Sequence, residues 1–181
     1  LMSSMIELVA CWLKKVRMVP MDEVIYQGFN VYATSCALKF EMGANAGGET
    51  VLSIDGANKS GTEFDWGNKL IFQVTPRETT LFLCAVMGLV PSFEASNHGK
   101  SRSKSLTLQN QVDKGVLLLK MQAPRRSVLV PITPDKVFEL GCLTMRVLSS
   151  QVGLDPGTCL TMLRATAARF YHHKAKDLDP G

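Results

Sequence analysis

The sequence is poor in the residues that active-site chemistry needs in clusters. Three histidines occur in 181 residues. His172 and His173 are adjacent, and neighbouring helical positions point about 100° apart, which makes a poor chelating pair. His98 stands alone in a loop-like stretch. There is no H-E-x-x-H, no Ser-His-Asp word and no phosphate-cradling G-x-x-x-x-G-K-[ST]. The glycine-rich run Gly43–Gly48 lacks the lysine and the following helix that a phosphate loop requires. Asp65 beside Trp66 reads as a turn-capping residue, not as an acid catalyst. These absences argue against an enzyme, and no metal or cofactor is expected.

Other absences narrow the class further. Five cysteines are present, Cys11, Cys36, Cys84, Cys142 and Cys159, but no C-x-x-C pair, so a zinc ribbon or a thioredoxin-type site is excluded. Leu83-Cys84-Ala85 and Gly141-Cys142-Leu143 read as small buried hydrophobes in a reducing compartment. No apolar run reaches membrane-spanning length. Charge of neither sign dominates. Twenty basic and 16 acidic residues give +4, a mild bias toward polyanions that cannot carry a nucleic-acid assignment alone. At 46% hydrophobic and 20% charged residues, the composition is that of a globular chain with a sizeable core.

What is present is a repeated grammar. Ser3 to Met18 carries an apolar stripe, Ile6, Val9, Leu13 and Val16, and a basic end, Lys14, Lys15 and Arg17. It reads as an amphipathic helix stopped by Pro20, either the remnant of an organellar presequence or a helix that packs on the domain or a partner. Phe29 to Met42 alternates like one long strand with a bend or bulge. Gly43–Gly48 and Gly56–Gly61 read as turns around a strand at Thr50–Ile54, and Lys69–Val74 is a further strand. Thr75-Pro76-Arg77-Glu78 opens a helix by a capping box with proline at its first position, and Gly88 stops it. Four short strands follow, at Ser92–Ala95, Ser103–Asn110, Val116–Met121 and Ser127–Ile132. Thr133-Pro134-Asp135-Lys136 then repeats the helix start. The next helix, through Val137, Phe138, Leu140, Leu143, Val147 and Leu148, is apolar on more than one face. Thr158–Tyr171 is a last helix, followed by a polar, frayed tail. The plan is four strands and a helix, twice.

Four words in this plan resemble the Whirly family. Phe29-Asn-Val-Tyr-Ala-Thr-Ser-Cys-Ala-Leu38 is similar to the first strand of plant Whirlies. Phe64-Asp65-Trp66 resembles their Y-D-W segment. Phe93-Glu94 with Asn97-His98-Gly99-Lys100-Ser101 resembles F-F-H-D-P-N-K-G. Val128 to Leu140 resembles Y-I-P-V-T-K-A-E-F-x-V-L. They occur in order between Phe29 and about Gly153. The family's K-G-K stands here as Ala33-Thr34-Ser35, with both lysines lost.

The resemblance implies an α+β Whirly-type fold, two four-stranded antiparallel sheets packed face to face, each followed by a helix, with additional N- and C-terminal helices. Residues 1–27 are then an extension, 28–153 the nucleic-acid-binding domain, and 154–181 a C-terminal helical extension and tail. The implied function is non-catalytic binding of single-stranded RNA or DNA, in a mitochondrion or alternatively a plastid. Its implied setting is a homo- or hetero-oligomer or a larger ribonucleoprotein, such as a mitochondrial ribosome. Candidates for base stacking are Tyr32, Phe64, Trp66, Phe72 and Phe93. Phe72 is assigned to the core; Tyr32 and Trp66 stay open between core and interface. Candidates for phosphate contact are Lys39, Lys69, Arg125, Arg126 and the stripe Lys100, Arg102 and Lys104, which alternation puts on one side of a strand or ribbon.

Overall fold

The computed structural model of the chain describes residues 28–177, with side chains as far as 171. The amphipathic segment 3–18, the extension 1–27 and the side chains of His172 and His173 lie outside the described residues. A first antiparallel sheet contains β1 (Gly28–Tyr32), β2 (Cys36–Ala44), β3 (Thr50–Ser60), the two-residue β4 (Glu63–Phe64) and β5 (Leu70–Val74). Its order is β1-β2-β3, and β4 and β5 both pair with β3. Helix α1 (Pro76–Val86) follows. The second sheet is the meander β6 (Ser92–His98), β7 (Lys104–Gln111), β8 (Val116–Ala123) and β9 (Arg126–Ile132), antiparallel throughout. Helices α2 (Pro134–Val152) and α3 (Pro156–Asp177) complete the chain. The expected plan of strands and a helix, twice, is therefore present.

Both helix starts obey the same local chemistry. Thr75 and Thr133 adopt nearly identical extended backbones, φ −70° and ψ 159° against φ −72° and ψ 157°, with proline in the first turn. In the first, the Thr75 amide and hydroxyl donate to the Glu78 carboxylate at 2.9 and 2.8 Å. In the second, Lys136 stands where the glutamate would be, and the Thr133 hydroxyl donates to Asp135 instead.

The inner faces of the sheets meet in one core that includes Leu38, Phe40, Ile54 and Phe72 from the first and Phe93, Leu108, Leu119 and Val130 from the second. Phe82 of α1 meets Phe93 edge-on at 5.3 Å between ring centres. Cys159, Leu163 and Ala167 of α3 join the same core. The Asn110 side chain of β7 donates to the Ala85 carbonyl at 2.8 Å and the Val90 carbonyl at 3.1 Å, tying the end of α1 to the second sheet. Asn110→Ala is expected to destabilise the fold by about 1–3 kcal/mol, the usual cost of stripping partners from partly buried polar groups. Urea denaturation measures it.

At the start of α3, Asp155 accepts from the Thr158 hydroxyl and, at 3.0 Å, from its amide. The hydroxyl first, then the amide, hold the Asp155 carboxyl below the usual carboxylate range. A depressed folded pKa contributes stability above the ordinary value and loses it as the pH falls through the folded one. The far-UV helix signal is therefore expected to decline in acid below about pH 3.9, and Asp155→Asn to flatten that decline.

Several expectations need correction. Phe29 to Met42 is not one bent strand. Ala33-Thr34-Ser35 is the turn of a hairpin, closed by the Ala33 amide on the Cys36 carbonyl at 2.8 Å and held by the Lys59 amide on the Ser35 carbonyl at 2.8 Å. Gly56 to Ser60 is strand, not turn: it continues β3 because Leu38, Ala37 and Cys36 pair with Gly56, Ala57 and Asn58. Gly56 sits where the sheets touch. A Cβ there would lie 3.0 Å from the Met121 sulfur and 3.1 Å from a Val128 methyl, so the turn-like residue is a packing residue. Cys142 is exposed, whereas Cys36, Cys84 and Cys159 are buried. The last helix runs through to Asp177, beyond the expected fraying at His172.

Candidate nucleic-acid interface

The connection from β4 to β5 builds a platform on the rim of the first sheet. Trp66–Asn68 form one turn of 3-10 helix, capped by Asp65, whose carboxylate accepts from the Asn68 amide at 3.2 Å and its side-chain amide at 2.9 Å. Two hairpin ends of the second sheet lean on this connection and on the start of β5. The Arg126 guanidinium donates to the Asn68 carbonyl at 2.6 Å, and the Lys104 ammonium donates to the Ile71 carbonyl at 3.0 Å. The structure thus brings Trp66, Lys69, Lys104 and Arg126, spread over 61 positions of sequence, onto one seam between the sheets.

The aromatic candidates separate cleanly. Phe72 and Phe93 are core residues, 2% and 1% exposed. Tyr32 is 62% exposed. Its ring lies 5.5 Å from that of Phe64, tilted by 39°, and its hydroxyl accepts from the Asn30 side chain at 3.0 Å. Trp66 is half-buried. Tyr32, Phe64 and Trp66 therefore supply ring surface at the rim, two of them as a pair.

The cations divide by electrostatics. Lys69 lies 2.6 Å from Asp55, whose side chain is 4% exposed. Lys39 points away from the core, 2.6 Å from Glu41. The hydrogen bond that Lys39 donates to Glu41, aided by Coulomb attraction to Glu41 and Asp55, raises the Lys39 pKa above its ordinary value. Both lysines spend their charge inside the protein. By contrast, among the described residues no carboxylate pairs with Lys100, Arg102, Lys104, Arg125 or Arg126.

The expected stripe Lys100, Arg102, Lys104 on one side of a strand is corrected. Residues 99–103 form the tip between β6 and β7, and only Lys104 belongs to a strand. Arg102 takes a left-handed backbone, φ 53°, as does Arg125 in the tip between β8 and β9, φ 63°. Lys100, Arg102 and Arg125 are thus carried on two hairpin tips, with Lys104 and Arg126 at the strand ends beside them. The first tip is anchored below by His98, whose ring stacks on Phe72 at 4.2 Å between centres and bonds the Glu78 carboxylate at 2.7 Å.

Sequence reasoning missed Lys59. It is an exposed residue of β3 whose direct partner across the strands is Phe64 of the aromatic pair. Reading Gly56–Gly61 as a turn hid it.

Two antiparallel sheets, each followed by a helix, give this chain a Whirly-type fold. A solved structure described as that of the plant transcriptional regulator PBF-2 superposes with a TM-score of 0.52 at 19% identity, covering 71% of this chain and 92% of that one. The crystal structures of Trypanosoma MRP1/MRP2 superpose with a TM-score of 0.52 at 13% identity, covering 80% of this chain and 94% of that one. At these identities the likeness is one of fold. No protein-family model matches the sequence, and no curated protein matches it either.

Proposed function

We propose that the chain binds single-stranded nucleic acid, RNA or DNA, without catalysing a reaction, and does so in a mitochondrion, with a plastid as the alternative organelle. The observation that carries this reading is the seam itself: two hairpins of the second sheet carry five cations without carboxylate partners among the described residues, and two of these, Lys104 and Arg126, reach the segment Asn68–Ile71 that follows Trp66. Cations on tips reach phosphates, which carry affinity without sequence information. Exposed rings take bases by stacking, worth about 1–3 kcal/mol per base and tolerant of sequence. The transcriptional role printed for the plant neighbour accords with work on nucleic acid. The Whirly resemblance of the sequence supports the organellar setting and an oligomer. The test is to purify the protein natively and sequence what it carries. Ribonuclease- or deoxyribonuclease-sensitive single-stranded material is the expected finding, and protein free of nucleic acid at low salt contradicts it.

One observation favours a second reading, a structural subunit of a mitochondrial ribosome or another large organellar ribonucleoprotein. Ala33-Thr34-Ser35 replaces a lysine-bearing motif with a short uncharged turn, and Lys39 and Lys69 are neutralised internally. The binding surface is thus narrowed to one seam, as suits a module held in place by neighbours. Size exclusion of the native extract separates the two readings: co-migration with ribosomal RNA supports the subunit, and a small free oligomer supports the independent binder.

A further inference from the structure

Helix α2 leaves an apolar groove of about 680 Å³ on the side away from its own core. Val137, Phe138, Gly141 and Met145 form its floor, with Val86 of α1 and Leu160 of α3 among its walls. Phe138 is 73% exposed. We propose that residues 3–18 of this same chain dock into this groove as an amphipathic helix. The segment and the groove match in chemistry: Ile6, Val9, Leu13 and Val16 recur at helical spacing on one stripe. They match in length too. Ile6 to Val16 is ten residues of helix, about 15 Å, and Val137 to Met145 is eight, about 12 Å.

The place where the described chain begins supplies the connection. Gly28 and Phe29 lie at the first turn of α2, because the Lys136 ammonium sits 5.5 Å from the centre of the Phe29 ring. The described chain therefore begins beside the N-terminal end of α2, the end at which Pro134, Val137 and Phe138 line the groove. Residues 19–27 reach about 30 Å if extended, more than the distance along the groove. Entry from this end makes the segment run antiparallel to α2. Its basic end, Lys14, Lys15 and Arg17, then lies at its own C-terminus, where the helix dipole favours cations. A tether of nine residues also gives the segment an effective concentration on the order of millimolar, ahead of any partner free in solution.

Cys142 provides the test. It is exposed and lines the groove, while the other described cysteines are buried. In the full chain carrying Cys11→Ser and Val9→Cys, the shortest bismaleimide is expected to join positions 9 and 142 within one chain, giving a monomeric product at a rate independent of protein concentration. Adding Phe138→Asp, at an exposed position that the fold tolerates, is expected to cut that product at least about tenfold by setting a carboxylate against the apolar stripe. Joining of two chains at these positions would show that a second copy occupies the groove and overturn the proposal. So would absence of any cross-link, or a yield unmoved by Phe138→Asp.

Discussion

Arg102→Glu together with Lys104→Glu is expected to weaken binding of a single-stranded oligonucleotide by about a hundredfold at low salt, on the order of 1.4 kcal/mol per reversed charge. Both positions belong to the hairpin between β6 and β7, and neither has a carboxylate partner among the described residues. Reversal therefore removes attraction to phosphate and adds repulsion, with no internal ion pair to break. Among the described residues the only internal side-chain bond lost is that from Lys104 to the Ile71 carbonyl, an exposed contact of small energetic weight. Lys39→Ala is the informative comparison. Its charge is already matched by Glu41 at 2.6 Å, so its loss is expected to change affinity by less than about threefold. A fluorescence-anisotropy titration of both variants measures the ratio. Equal effects would show that the rim does not distinguish paired from unpaired cations.

Gly56→Val is expected to have the largest effect on stability, about 3 kcal/mol, or a fall in Tm of about 6–12 °C for a chain of this size. The residue lies in the middle of β3, paired with Leu38 on one side and Leu70 on the other. A Cβ there already meets the Met121 sulfur at 3.0 Å and two Val128 methyls at 3.1 and 3.2 Å. The methionine can turn aside. Val128 is fully buried and branched at Cβ, and cannot do so without moving β9. Two further methyls must therefore push the sheets apart, which also shifts Arg126 of β9 from the Asn68 carbonyl. Binding should fall along with stability in this variant, whereas Asn110→Ala, remote from the rim, should lower stability alone.

The parts of the fold that were legible in the sequence are those fixed by short-range chemistry. Thr75-Pro76-Glu78 and Thr133-Pro134 announce their helices because a cap is completed within four residues. The strands from β6 to β9 were placed within a few residues, because Gly115 and Pro124 punctuate strands that alternate cleanly. The hairpin at Ala33–Ser35 was hidden for the opposite reason. It holds no glycine, asparagine or proline, and one of its anchoring bonds comes from Lys59, 24 positions away. Gly56 misled because its smallness serves the partner sheet, which no local pattern records.

The candidate site was legible in residue type but not in electrostatics. Lys104 and Arg126 contact the first sheet, Tyr32 is exposed and Trp66 half-buried, and the other basic candidates of the second sheet lie on the two hairpin tips. Nothing in the sequence marks Asp55 as the partner of Lys69, since that pairing arises only when β5 lies beside β3. Which cations lack a carboxylate partner is a tertiary property, and the proposed phosphate contacts are chosen on it.

The most direct test is the salt dependence of single-strand binding by the unaltered protein. If the five hairpin cations Lys100, Arg102, Lys104, Arg125 and Arg126 each meet a phosphate, the logarithm of the association constant falls with the logarithm of salt at a slope of about −3.5, and affinity drops about a hundredfold between about 50 and 200 mM. Duplex of the same length should bind more weakly at every salt concentration. A flat salt response, or tighter binding to the duplex, would contradict the claim that this seam grips unpaired strands through their phosphates.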